Sequence, residues 1–336
     1  MPTLDADHLR DISKRAFVKA GVGQTVAEQV VQLLIQANLA GHDSHGVVRI
    51  PSYVNAVRNG RVDPNASIDV LDDGPTFTRL KGNRAFGQVA LSKAVDVALE
   101  KSAQSAMSMV SVYEYSHCGQ LGAYAARIAA EGCVGMLFLG KQRGSVVPTG
   151  GKKGRLYQNT LAIALPSDGD FPVVLDMATS VAPFGKILVK RARNEQCPEG
   201  WLVDEDGNPT TDPFTDLSGG KGGLLPLGVP NAGHKGSGLT FVMGILATAL
   251  SGANESGEGT LVVAINPAIF GDKDSFMQQV SACVDYMQDT EPADGVDRVI
   301  VPGQRSYEET EQKKREGIFV EDSTWDQIRE LAENGE

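Results

Sequence analysis

The residues Gly41-His42-Asp43-Ser44-His45-Gly46 run into Val-Val-Arg49-Ile-Pro51-Ser-Tyr53, and this one stretch holds two of the five histidines of the chain. Two imidazoles three residues apart could share a metal ion, but no H-E-x-x-H is present and a third ligand would have to come from far away, so the expected metal set is none. A second reading makes Ser44 the N-cap of a helix that starts near His45. If that helix continues, His45, Arg49 and Tyr53 recur at a spacing of four and share one face, with Pro51 kinking or restarting it. An imidazole beside a guanidinium suits a 2-oxo or 2-hydroxy acid. The imidazole exchanges a proton with the carbonyl or hydroxyl oxygen near neutral pH, and the guanidinium clamps the carboxylate. An arginine–carboxylate pair that only holds the fold together is the plainer alternative for Arg49.

Two further clusters carry chemistry. Ser116-His117-Cys118-Gly119-Gln120-Leu121-Gly122 lies between an expected strand and an expected helix, and ligand sites favour the carboxyl ends of strands. His117 is there either as an acid/base or as a strand-end histidine bonded to a carbonyl, while Cys118 has no activating neighbours for a nucleophile. Gly228 to Gly238, Gly-Val-Pro-Asn-Ala-Gly-His-Lys-Gly-Ser-Gly, leads into a helix and offers backbone N–H groups and Lys235 to an anion. It is not a phosphoryl-transfer loop, because His234 intrudes and no Ser or Thr follows Lys235. No G-x-G-x-x-G follows a strand, and Gly82 to Gly87 lacks the middle glycine, so the Rossmann fingerprint is missing.

Helices are expected over residues 5–20 and from Thr25, with Glu28 completing a capping box and Gly41 as the stop. The middle alternates: helix 90–100, strand 107–113, helix 119–131, strands 134–139, 161–165 and 173–176, helix 181–193, a turn-rich excursion at 204–213, a buried apolar helix 236–250, strand 261–265, helix 275–289 and a last strand 298–301. Helices return at 306–316 and 323–332. Helical ends around an α/β middle suggest that the termini pack together. The expected division is a helical, substrate-holding domain from 1–76 with 302–336 and an α/β, cofactor-binding domain over 77–301.

Composition narrows the function classes. With 336 residues the chain can bury large cores without a staple. Its net charge of −11 argues against a nucleic-acid or anionic-membrane binder. The apolar run 239–250 is too short for a membrane helix, which needs roughly 20 residues. The four cysteines form no C-x-x-C pair, and the first residues hold no apolar signal core, so a reduced, cytoplasmic protein is expected.

The chain resembles the malate/L-lactate dehydrogenase family of non-Rossmann NAD(P)-dependent oxidoreductases. Five pieces carry the likeness in the family's order: Gly41 through Tyr53, Ser116-His117, Asp176-Met177-Ala178-Thr179-Ser180, His234-Lys235-Gly236-Ser237-Gly238-Leu239 and Pro302-Gly303-Gln304-Arg305. The resemblance implies a largely antiparallel sheet flanked by helices, a helical domain built from both termini, a homodimer, and NAD or NADP as cofactor. It implies His45 as proton donor and acceptor, with His117 competing for that role, and Ser44, Arg49 and Tyr53 at a small carboxylate substrate. It places Asn159, Asp176, Met177, Ala178, Thr179, Ser180, Val181, Ala182, His234, Lys235, Gly303, Gln304 and Arg305 at the dinucleotide. The chain departs from the pattern at Gly140-Lys141, where Thr-Asn is usual, and at Tyr157-Gln158-Asn159-Thr160, which keeps only the Asn. Lys141 is then expected at a second anionic group of the substrate or at a cofactor phosphate. Lys190, Arg191 and Arg193 are available to a ribose phosphate. A nucleotide-binding relative without turnover and a metal-dependent lyase or hydrolase using His42, Asp43 and His45 are the competing readings.

Overall fold

The computed structural model describes residues 2–217, 221–254 and 257–334. Strand β1 (Thr3–Leu4) leads to α1 (Ala6–Lys19), α2 (Gln24–Leu39), two 3-10 turns (Asp43–His45 and Val47–Arg49) and α3 (Ile50–Arg58). There follow β2 (Asp69–Asp73), β3 (Phe77–Ala85), α4 (Gly87–Ser105), β4 (Met107–Tyr115), α5 (Leu121–Ala130), β5 (Val134–Gly140), β6 (Thr160–Leu165) and β7 (Val173–Ala178). The chain continues through α6 (Phe184–Arg193), β8 (Leu202–Val203), β9 (Pro209–Thr210), β10 (Gly223–Leu224), α7 (Gly233–Ala249), β11 (Gly259–Ile265), α8 (Lys273–Gln288), α9 (Gln304–Glu316), β12 (Ile318–Phe319) and α10 (Asp322–Asn334).

The main sheet has the order β2-β3-β4-β11-β5-β6-β7, and every pair is antiparallel except β3 with β4. This is the mixed α/β, largely antiparallel architecture expected from the sequence. Alternation along the strands sorts the layers. Leu137, Leu139, Val262 and Ala264 point to the face packed by Ala90, Leu91, Val95, Tyr124 and Ile128 of α4 and α5. Gly259 points the other way, against Ala247 of α7, where an added Cβ would lie 2.2 Å from the carbonyl oxygen. The chain ends meet in a separate core. Leu9, Phe17, Val31, Leu34, Ile50 and Val54 pack with Ile328 and Leu331, and β1 pairs with β12 through Thr3↔Phe319 and Leu4↔Ile318. Phe86, at the start of α4, enters this core edge-on to Phe17, 5.8 Å between ring centroids, and so joins the terminal helices to the sheet.

Several sequence expectations are corrected. Helix α2 starts at Gln24 with Gly23 as N-cap and no side-chain cap bond, so Thr25 is already inside the helix and the capping box does not form. Residues 298–301 make no ladder; the N–H of Val301 donates to Oε1 of Gln304 instead. Helix α6 begins after Pro183 rather than at Val181. Helix α7, expected to be buried, exposes Leu239, Phe241, Val242 and Ile245. Among the described residues no helix is long and apolar enough to cross a membrane.

Candidate active site

The loop after α2 is shaped by Asn38, a buried polar side chain near the end of that helix. Its Nδ2 donates to Asp43 at 2.8 Å and its Oδ1 accepts the N–H of Val47 at 2.8 Å. Gly46 is required at this clasp, since a Cβ there would fall 2.0 Å from Oδ1 of Asn38. The loop therefore runs as two 3-10 turns broken by extended Gly46, and α3 begins only at Ile50 with Pro51 in its first turn. Ser44 is not a helix N-cap. Its hydroxyl lies 3.0 Å from Nδ1 of His45, and its carbonyl accepts from Nε of Arg49 at 2.6 Å. The spacing of four on one continuous helix is replaced by turns, yet His45, Arg49 and Tyr53 still converge.

They converge on His117. The imidazoles of His45 and His117 stack with centroids 5.6 Å apart and planes 28° from parallel. The hydroxyl of Tyr53 lies 2.6 Å from Nδ1 of His117 and accepts from Nε2 of Gln88 at 3.0 Å. Gln88 comes from the first turn of α4 and is fully buried; sequence reasoning missed it because a lone glutamine in an amphipathic helix carries no signal. Burial, and then the Arg49 guanidinium, lower the pKa of His45 to about 4 and that of His117 to about 3. Both rings are thus neutral at neutral pH. Burial pushes the Tyr53 phenol well above its ordinary value, so it stays protonated and serves as a fixed hydrogen-bonding group. Cys118 is buried and its thiol is held well above its ordinary pKa, chiefly by burial, which agrees with a packing role.

Register gathers the remaining groups at one edge of the sheet. Gly259 at the start of β11 is paired with Tyr113 of β4 on one side and Gly140 of β5 on the other. Thr160 at the start of β6 is paired with Leu139 of β5 and with Ala178 at the end of β7. The segments leaving that edge carry His117, Lys141, Asn159 and Thr179. Asn159 is buried and clasps the chain: Oδ1 accepts the Lys141 N–H at 2.9 Å and Nδ2 donates to the Thr240 carbonyl at 2.7 Å. Thr179 donates to the Asn159 carbonyl at 2.9 Å and contacts the Thr240 hydroxyl, and the Ser180 hydroxyl donates to the Ala182 carbonyl. Met177, Ala178 and Val181 are half-buried beside them, and Ala182 is buried. Lys141 is not left as an open cation. Its Nζ lies 3.5 Å from Oε2 of Glu258 and 5.2 Å from the centroid of the Tyr157 ring. Glu258 was missed from the sequence, where it is one acid among glycines; only the pairing of β5 with β11 sets it beside Lys141.

A cavity of about 540 Å³ meets the histidine loop at His42 and is lined also by Gly122, Asp176, Gly303, Arg305 and neighbouring residues. His42 shares a 3.3 Å contact with the hydroxyl of Ser306. Burial lowers its pKa, while Asp176 works to raise it. The Asp176 carboxylate accepts the Gly122 N–H at 2.8 Å, and burial raises its pKa against that bond. Gly303 adopts a positive φ of 95° and caps α9, Gln304 turns its amide back to Val301 and Gln288, and Arg305 is exposed near Glu309. The volume falls in the usual range of about 300–1,000 Å³ for small-molecule sites. A half-buried carboxylate for hydroxyls and an exposed guanidinium for phosphate fit a dinucleotide. His234 and Lys235 are exposed at the start of α7, about 9 Å and about 7.5 Å along the axis from Thr240 at about 1.5 Å per residue, and neither lines the cavity at His42. The basic face of α6 is partly committed elsewhere. Arg191 donates to the carbonyls of Pro213 and Thr215, and Lys190 pairs with Glu195 at 2.7 Å. Among the described residues no group of three or more His, Cys, Asp or Glu has metal-holding geometry.

Comparison with known proteins identifies the family and the fold. The malate/L-lactate dehydrogenase family model matches residues 4–329. A malate dehydrogenase of Pyrococcus abyssi is 33% identical over 97% of this chain and 93% of its own length. A delta(1)-pyrroline-2-carboxylate/delta(1)-piperideine-2-carboxylate reductase of Pseudomonas putida is 32% identical over 96% of this chain and 95% of its own. The crystal structure of malate dehydrogenase from Entamoeba histolytica superposes with a TM-score of 0.94 at 29% identity, covering 98% of this chain and 97% of that one.

Proposed function

The chain belongs to the malate/L-lactate dehydrogenase family and is a dehydrogenase or reductase of small acids, and from that premise we propose that it uses NAD or NADP to interconvert a 2-oxo and a 2-hydroxy acid, or a cyclic imino acid and its saturated counterpart. The observation that carries this reading is the stacked His45–His117 pair, 5.6 Å apart, with the charge of Arg49 bearing on both rings. The nicotinamide, when bound, supplies or accepts the hydride; His42, Asp176, Gly303 and Arg305 would hold the dinucleotide in the neighbouring cavity.

The chain's own residues handle the acid. Nε of Arg49 is spent on the Ser44 carbonyl, which fixes the guanidinium and leaves its terminal amino groups for a carboxylate. Tyr53, itself held by Gln88, ties up Nδ1 of His117 and leaves Nε2 for the substrate oxygen. In the free site both imidazoles are neutral and so serve as bases for a hydroxy acid. A bound carboxylate neutralises Arg49 and removes the second-largest cause of the lowered pKa on each ring, which favours proton uptake for reduction. Orientation by Arg49 then turns an encounter into a reactive geometry.

The dinucleotide would lie between the two expected domains, with His42, Gly303 and Arg305 from the terminal segments and Asp176 from the sheet, so the terminal helices share the cofactor as well as the substrate. A homodimer accompanies this reading, supported by the apolar outer face of α7 with Phe241 and Val242 more than half exposed. The test is a fluorescence titration with NADH and with NADPH, followed by 2-oxo and cyclic imino acids watched at the nicotinamide absorbance. Saturable binding and turnover of a member of that panel are expected; tight nucleotide binding with no turnover of any acid would instead support a relative that has lost catalysis.

A further inference from the structure

The unassigned feature of the site is the Lys141–Glu258 pair. Both residues flank the Gly140↔Gly259 register pair, at the sheet edge from which His117 also departs. The side chains are largely buried, 31% and 16% exposed, and their charged atoms stand 3.5 Å apart. That is longer than the roughly 2.7–2.9 Å of a closed charge-assisted bond, so an acceptor and a donor lie side by side with hydrogen-bonding capacity left over. The wall around them is aromatic. The Lys141 ammonium sits over the Tyr157 ring, and the Glu258 charge is felt at Tyr53, Tyr115 and Tyr157.

A charge count decides what such a site takes. The two imidazoles are neutral and Arg49 contributes one positive charge. Burial raises the pKa of Glu258, but the Lys141 ammonium 3.5 Å away opposes that rise and holds the carboxylate ionised, so the pair cancels. One carboxylate is matched, by Arg49. A second carboxylate would have to share an ammonium that Glu258 already neutralises, with a like charge beside it. A neutral hydroxyl can donate to Glu258 and accept from Lys141 at once.

Resting on the oxidoreductase reading above, we propose that Lys141 and Glu258 form a charge-neutral specificity wall, selecting a 2-oxo or 2-hydroxy monocarboxylate with a neutral, hydroxyl-bearing tail over a dicarboxylate. Lys141 is therefore not the receptor for a second anionic group of the substrate.

The test compares oxaloacetate with 4-hydroxy-2-oxobutanoate, which differ in the distal group, in the wild-type protein, Glu258→Gln and the doubly neutral Lys141→Gln/Glu258→Gln. The wild type is expected to favour the hydroxy acid in kcat/KM by about tenfold or more. Glu258→Gln frees the ammonium and is expected to shift the ratio toward oxaloacetate by at least about tenfold; the double variant, keeping the same shape without charge, is expected to lose that gain. A wild type that favours oxaloacetate, or a Glu258→Gln protein with an unchanged ratio, overturns the proposal. Calorimetric titration with malate and 2,4-dihydroxybutanoate reads the same preference without hydride transfer. Absence of turnover with retained, charge-dependent binding then counts against the oxidoreductase reading and for the wall, while turnover without the preference counts against the wall.

Discussion

Replacing Tyr53 by Phe removes one oxygen from the centre of the site and keeps the ring that packs near Phe86. Two close hydrogen bonds go with it, the 2.6 Å contact to Nδ1 of His117 and the 3.0 Å bond from Nε2 of Gln88, along with a long 3.4 Å contact to the His117 carbonyl that adds little. Tyr53 is 6% exposed and Gln88 fully buried, so water does not readily replace them. At about 0.5–1.5 kcal/mol net per bond the loss is about 1–3 kcal/mol. A chain of 336 residues unfolds with about 0.7 kcal/mol/K of entropy at about 2.1 cal/mol/K per residue, so Tm should fall by about 1.5–4 °C. Function should respond more strongly, because His117 loses the group that fixes its ring. A drop in kcat of about 10–100-fold is expected, with KM for the acid and the affinity for the dinucleotide little changed, since Arg49 and the cavity residues are untouched. Calorimetric melting and steady-state kinetics on the same preparation check both. A Tm within 1 °C of wild type together with an unchanged kcat would show that the hydroxyl positions nothing.

Other outcomes follow from the same geometry. Arg49→Gln removes a charge that lowers the pKa of both imidazoles, so NMR titration should find His45 above its value of about 4 and His117 above its value of about 3; unchanged values would place the guanidinium elsewhere. Because both folded pKa values lie below the unfolded value of about 6.5, the unfolded chain binds more protons in that window. These two residues therefore subtract stability as pH falls from about 6.5 through about 4 to about 3; a His45→Asn/His117→Asn protein should show a shallower acid limb in urea melts, and an equally steep one would refute the assignment. Gly122→Ala puts a Cβ 2.7 Å from Oδ2 of Asp176 and should weaken NADH or NADPH binding by about tenfold through displacement of that carboxylate, at about 1–3 kcal/mol of strain; fluorescence titration with wild-type affinity would remove Asp176 from the cofactor site.

What the sequence made legible was the site's chemistry and the periodic elements; what it hid was set by pairing across the sheet. His45, Arg49 and Tyr53 were readable because their types and spacing point to acid chemistry, although the loop that carries them is two 3-10 turns held by Asn38 rather than a helix capped by Ser44. Strand β2, Asp69–Asp73, is exposed throughout and lacks the alternation that betrays a strand. Strand β3 hides its inward positions behind Thr78 and Gly82, which do not read as apolar. The capping box at Thr25 failed by two residues of register, because the helix already starts at Gln24 with Gly23 as its N-cap. Glu258 needed the β5–β11 register to meet Lys141, and Gln88 needed the packing of α4 against the terminal helices to meet Tyr53. No local window contains either pair.

In the proposed reaction the two stacked imidazoles serve the acid and not the nucleotide. The most direct measurement sets kcat for a turned-over 2-oxo acid beside the NADH or NADPH dissociation constant in His45→Ala and His117→Ala proteins. The expected result is a kcat loss of about 100-fold or more in at least one variant, with cofactor affinity kept within about twofold. Parallel loss of both quantities, or full activity in both variants, would contradict it.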